Sequence, residues 1–138
     1  MEFGYEFFDH TADLGVRVRA QSWTQLVHAA GQALYAAIGE LAVGDAVEPL
    51  NFDFSGSEPA YLFHDYLGEL LALLDKGRMV TMIQSAQCDP HHLRIQARLG
   101  AVDHQRSRFL REVKAVTYHE LSVRSTPEGI EATFIVDI

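Results

Sequence analysis

The sequence predicts an α+β fold, a mostly antiparallel sheet of about seven strands with two helices packed against it, in the order β-β-α-β-α-β-β-β-β. Three observations predict it. Two stretches carry apolar residues at helical spacing, nearly everything after residue 78 alternates with a period of two, and the strand-like runs are joined by short turns that favour antiparallel neighbours.

Phe3 to Phe8 is short and aromatic, and Leu14 to Ala20 places Val16, Val18 and Ala20 on one face and Arg17 and Arg19 on the other. These are two strands flanking a polar bend. Ser22 and Gln25 stand at capping-box spacing ahead of Leu26, Ala29, Ala30, Ala33, Leu34, Ala37 and Ile38, which recur with helical period up to Gly39. Its small alanine face suits close packing on a sheet, with His28 near an edge. From Gly44 to Gly56, Leu50, Phe52 and Phe54 alternate with Asn51 and Asp53, a strand whose Pro49 places it near a sheet edge. Ser55 to Pro59 then opens a second helix, with proline early. Its stripe of Leu62, Phe63, Tyr66, Leu67, Leu70, Leu71 and Leu74 is the largest expected contribution to the core, at about 1.5–3 kcal/mol per buried side chain. That outweighs the roughly 1 kcal/mol cost of Gly68 in mid-helix.

Met79, Thr81 and Ile83 alternate with Val80 and Met82, Cys88 to His91 forms a turn, and Leu93, Ile95, Ala97 and Leu99 against Arg94, Gln96 and Arg98 make the cleanest half-buried strand. His91 and His92 are adjacent, so on a strand they face opposite ways and do not ligate one metal together. Asp103 to Glu112 breaks the pattern and reads as an exposed basic loop with Arg106, Arg108 and Arg111. Val113, Ala115, Thr117, His119, Leu121 and Val123 form one face of a further long strand, and Ile130 to Ile138 alternates until the chain stops.

A chain of 138 residues is the size of one domain and buries roughly 68–70% of its unfolded surface. No apolar run reaches the length of a membrane span, and the first residues lack the basic-then-apolar pattern of a signal peptide, so a soluble cytoplasmic protein is expected. The one cysteine, Cys88, has no internal disulfide partner. With 11 Lys plus Arg against 19 Asp plus Glu, the net charge of −8 opposes unspecific attraction to nucleic acid.

The bend Asp9-His10-Thr11-Ala12-Asp13-Leu14-Gly15 is too polar for plain strand, and its residue types serve equally for an Asx-type turn or for holding an ion. At the other end, Phe134, Val136 and Ile138 alternate onto the expected buried face, which holds the terminal carboxylate beside Asp137. Carboxylates packed together are all ionised at neutral pH and repel. If the bend lies at the same end of the sheet, several carboxylates converge, and an oxygen-only cluster takes Ca²⁺, Mg²⁺ or Mn²⁺ in preference to zinc.

Four blocks in this sequence resemble the archease family: Asp9-His10-Thr11-Ala12-Asp13-x-Gly15, Leu67-Gly68-Glu69-Leu70-Leu71 with Asp75, Glu112 to His119, and Phe134 to Ile138. They span essentially the whole chain, in the family's order. The resemblance implies a small protein cofactor of an RtcB-type RNA ligase, which joins RNA ends in tRNA splicing and RNA repair using GTP. The cofactor promotes guanylylation of the ligase and permits repeated turnovers, while the ligase does the bond chemistry. It further implies that the metal ligands are Asp13, Asp137 and the terminal carboxylate of Ile138, for Ca²⁺ or for Mg²⁺ or Mn²⁺ in the cell. Lys114 matches a lysine tied to activation, and Asp9, His10 and His119 take orienting or structural roles. RNA is then met only through the ligase. Gly68 departs from the family, where a polar residue is expected.

Two other classes are open. A stand-alone metal-dependent phosphoesterase requires a base, for which His10 and Asp9 are the candidates, but shows no second dense carboxylate cluster and no phosphate-cradling glycine loop. A general chaperone or an RNA-binding module is the third, and the acidic balance opposes its RNA version.

Overall fold

The computed structural model describes residues 2–138. The elements run β1 (Gly4–His10), β2 (Asp13–Ala20), α1 (Trp23–Ile38), β3 (Gly39–Glu40), β4 (Val43–Ser55) and α2 (Pro59–Asp75), followed by β5 (Arg78–Cys88), β6 (His92–Val102), β7 (Arg108–Phe109), β8 (Ala115–Val116), β9 (Ser122–Thr126) and β10 (Gly129–Asp137). The α+β class holds and every strand pair is antiparallel. The expected single sheet is instead two. One is ordered β1-β2-β10 with β8 and β9 both paired to β10, the other is ordered β4-β6-β5, and a short β3-β7 ribbon stands apart.

Local chemistry explains the elements. Ser22 caps α1 by accepting the Gln25 backbone N–H at 3.2 Å, while the Gln25 side chain accepts from the Gln21 N–H at 3.0 Å, one residue before the cap. Pro59 opens α2 at its first turn, where its missing N–H costs nothing. Pro49 sits on the edge strand β4, as its chemistry requires. The Cys88–His91 turn closes on Asp89, whose carboxylate accepts the backbone N–H groups of His91 and His92 at 2.8 and 2.9 Å. These bonds hold its pKa below the usual carboxylate range.

The two helices join the sheets into one core. Phe63 of α2 meets Phe134 of β10 edge to face at 5.8 Å, and Tyr66, one turn on, meets Phe52 of β4 at 5.9 Å. The buried Tyr66 hydroxyl donates to the Val27 carbonyl of α1 at 3.0 Å, so it ties the helices to each other without an unpaired polar group. The alanine face of α1 packs on β2 and β5. α1 also supplies partners to the β5 edge, where the Tyr35 hydroxyl accepts the Val80 N–H and the Thr24 hydroxyl accepts the Ala86 N–H. Bulges between Val80 and Met82 and between Ile83 and Ser85 interrupt the alternation expected there.

The long strand expected from Val113 to Val123 is not continuous. Only Ala115 and Val116 pair with β10 before the chain leaves the sheet, and it returns as β9 from Ser122. Val116 is the buried residue, on the alternate face from the one expected, and His119 is exposed. The reason lies in α2. His64 Nε2 lies 2.7 Å from the Val116 carbonyl, and its ring stacks on Tyr118 at 4.0 Å, which pins residues 117–121 as a turn over the helix. Residues 103–112 are largely exposed, as expected for the basic loop, and contain β7 paired to β3.

Candidate functional site

The first hairpin turns through Thr11 and Ala12, with Ala12 at a left-handed φ of 61°. Its register pairs His10 with Asp13, and β10 in turn pairs Asp137 with Asp13. Cross-strand partners share a face, so His10, Asp13 and Asp137 form one row across three strands at the end of the sheet. Ala115 of β8, paired with Asp137, extends the row. The bend and the end of the chain therefore meet, as the convergence of carboxylates requires.

Asp13 and Asp137 are thus directly opposed across the ladder. Among the described residues neither has a Lys or Arg nitrogen within 4.0 Å, and the one basic neighbour of Asp13 is His10, whose Nδ1 lies 3.6 Å from Oδ2. That is beyond hydrogen-bond distance, and His10 Nδ1 is buried without a partner. Gly15, the next residue along that face, makes the crowding possible: a Cβ there would run into the Phe8 ring. Arg17 then covers Phe8, its guanidinium carbon 5.0 Å from the ring centre.

The remaining expected residues fall in different places. Asp9 pairs with Leu14 and so faces away from the row, because successive strand residues alternate sides. Ile138 lies past the end of β10 and is 40% exposed, so it is not anchored on the buried face; β2 has already turned at Asp13 and, among the described residues, no strand pairs beyond Asp137. Lys114 is tied to the site by its backbone, whose N–H donates to the Asp137 carbonyl at 2.8 Å. Its side chain lines a cleft of about 610 Å³ with Leu71, Leu74, Asp75 and Arg111, beside the end of α2. His119 reaches the row from the turn after β8, its ring 5.0 Å from that of His10.

Two residues were not legible in advance. Glu120 places Oε2 3.8 Å from His10 Nε2, and its backbone has φ 52°, left-handed for a non-glycine residue. Its only sequence signal is adjacency to His119. His64, which shapes that turn, carries no signal beyond its place on α2. Gly68 leaves open space where a Cβ would stand, so the helix itself has no packing reason for glycine there. Cys88 is no rival nucleophile: burial and the neighbouring Asp89 push its thiol up to about 11.

These features define a small two-sheet α+β protein whose opposed carboxylates and histidine stand at the end of a central strand. The sequence profile of the archease protein family matches residues 5–138. The protein archease of Methanopyrus kandleri is 31% identical over 141 residues, covering 97% of this chain and 99% of that one. The solution structure of protein 1598 of Methanobacterium thermoautotrophicum superposes with a TM-score of 0.73 at 23% identity, over 98% of this chain and 99% of that one. A crystal structure from Thermotoga maritima, described as an archease and possible chaperone, gives 0.69 at 19% identity, over 95% and 94%. The chain belongs to the archease family. No helix among the described residues is long and apolar enough to cross a membrane.

Proposed function

We propose that this chain is a metal-bearing protein cofactor of an RtcB-type RNA ligase, acting in tRNA splicing and RNA repair by promoting GTP-dependent guanylylation of the ligase and its multiple turnover. The observation that carries the reading is the direct opposition of Asp13 and Asp137. Directly opposed residues hold their Cβ atoms about 4.5–5.5 Å apart, and two like charges at that spacing are unfavourable without a counter-ion. An oxygen-only donor set fits a hard divalent cation, Ca²⁺ or Mg²⁺ or Mn²⁺, with the α-carboxylate of Ile138 as a third ligand. When bound, the cation supplies a Lewis-acid centre able to share phosphate oxygens.

The chain's own groups have distinct parts. Asp13 and Asp137 hold the cation at the end of the sheet, where a partner's active site can reach it. Lys114, exposed and tied through its backbone to Asp137, offers a compact positive charge to a phosphate or to an acidic group of the ligase. The net charge of −8 favours docking on a basic RNA-binding cleft, and RNA is met through the ligase.

The test measures guanylylation and multiple-turnover RNA joining by a cognate ligase with GTP and metal, with and without substoichiometric amounts of this protein or of Asp137→Ala. Stimulation by the wild type alone supports both the cofactor role and the acidic tip. No stimulation by a folded wild-type sample removes the function and leaves the family membership standing.

A further inference from the structure

We propose that His10, His119 and Glu120 form a second, nitrogen-rich site for a divalent transition-metal ion, distinct from the oxygen-only Asp13–Asp137 pair. The inference does not rest on the ligase reading. One ligand atom from each of the three side chains lies within 4.8 Å of the others, and His10 Nε2 is already 3.8 Å from Glu120 Oε2. In a four-coordinate site with metal–ligand bonds of about 2.0–2.2 Å, ligand atoms stand roughly 3.3–3.6 Å apart. Small side-chain rotations therefore close the set, and both residues of the turn are exposed and free to make them.

The surroundings hold the three groups toward one another. The rings of His10 and His119 meet edge to face at 62° with their centres 5.0 Å apart, so the two imidazoles already stand side by side. The turn that carries His119 and Glu120 is clamped at its base by His64 and Tyr118, and the Thr117 hydroxyl accepts the His119 N–H at 3.2 Å. Glu120 keeps a left-handed backbone that a glutamate adopts only at a cost. Non-glycine residues persist in such conformations where the surroundings over-determine them, often at ligand sites.

His10 supplies the independent indication. Among the described residues its buried Nδ1 has no hydrogen-bond partner, and the Asp13 carboxylate stands 3.6 Å away. A metal-bound imidazole needs a carboxylate or carbonyl behind its other nitrogen to fix the tautomer. Closing the Asp13 contact satisfies that nitrogen and leaves Nε2 free to ligate on the side where Glu120 and His119 stand. Two imidazoles and one carboxylate select Zn²⁺, Co²⁺ or Ni²⁺ over Ca²⁺ and Mg²⁺. Asp13 then touches both sites, as ligand of one and as orienting group of the other.

The experiment titrates the metal-free full chain with CoCl₂ and separately with CaCl₂ at neutral pH, reading Co²⁺ by its visible absorption and both ions by calorimetry. The wild type is expected to bind one Co²⁺ with histidine-type absorption. His119→Ala and Glu120→Gln, both on the surface, should weaken Co²⁺ at least about tenfold and leave Ca²⁺ affinity unchanged. Asp137→Asn should do the reverse. Thermal unfolding without metal checks that each variant is folded. Absence of stoichiometric Co²⁺ binding, or full Co²⁺ affinity in His119→Ala, overturns the proposal. So does loss of Co²⁺ and Ca²⁺ together in Asp137→Asn, which would mean a single oxygen site. If the wild type binds Co²⁺ but not Ca²⁺, the nitrogen site stands and the oxygen site of the proposed function fails.

Discussion

Asp13 and Asp137 are register partners on neighbouring antiparallel strands, although one lies in the first hairpin and the other in the last strand of the chain. Neither carboxylate has a Lys or Arg partner among the described residues, so folding itself assembles a charge conflict. Like charges directly opposite on a ladder are destabilising, and the energetics of the pair can be read directly.

Adding Ca²⁺ to metal-free protein should raise the unfolding temperature, by an amount equivalent to about 2.7 kcal/mol when free Ca²⁺ is a hundred times its dissociation constant. Chelation should reverse it. Asp137→Asn should abolish the response while matching or slightly exceeding the wild type in stability without metal, since it removes the like charge. A variant that keeps the full Ca²⁺ response rules the pair out as the site.

Lys114 is exposed and makes no ion pair among the described residues, so Lys114→Ala should change stability by less than about 0.5 kcal/mol. Its effect should appear instead as weakened stimulation of the ligase. A large drop in unfolding temperature would assign the residue to the cleft beside α2 and not to activation.

Gly68 faces open space in the interior of α2. Gly68→Ala should therefore stabilise the protein by roughly 0.5–1 kcal/mol, because it restricts the unfolded chain and adds no clash. Denaturant unfolding reads this, and a loss of stability would mean that the helix position is crowded by a bound group.

Glu131 is clamped by Arg124 at 2.7 Å and Arg19 at 3.0 Å, and these partners hold its carboxyl below the usual range, Arg124 contributing most. A carboxyl depressed in the folded state stabilises above its unfolded pKa of about 4.3, and that contribution fades as pH falls toward the folded value. Glu131→Gln should cost on the order of 1 kcal/mol at neutral pH and progressively less below about pH 4. An equal cost at both ends of the range would show that packing, not charge, is responsible.

Glu120→Gly should stabilise the metal-free chain by roughly 0.5–1 kcal/mol, since a left-handed residue other than glycine costs about 1–2 kcal/mol and glycine's flexibility takes back part of the gain. The same change should remove Co²⁺ binding. Stability lost in the absence of metal would mean that Glu120 is held by a structural contact with His10 alone.

Much of the secondary structure was legible because it depends on spacing within a few residues. The stripe from Leu62 to Leu74, the Ser22 cap and the Leu93–Leu99 alternation each carry their own periodic signal, and each formed as expected. The Val113–Val123 strand failed for a physical reason of the opposite kind. Its alternation was real, but His64 and Tyr118 drew the chain off the sheet edge after Val116, and a tertiary contact outweighed local preference. Ile138 came out exposed because strand pairing ends at Asp137, and nothing in its own neighbourhood of sequence marks that limit.

The sequence by itself determined two helices, antiparallel strands, the acidic character of the bend at Asp9–Gly15 and of the chain's end, and the family those blocks resemble. Tertiary structure decided that strands divide between two sheets, that Asp13 faces Asp137, that Asp9 turns away, and that Glu120 joins His10. The difference is one of range. Periodicity reports which face of an element is buried, whereas pairing register between distant strands is set by how both helices fill one shared core, and only that packing brings the first hairpin and the last strand to a single row.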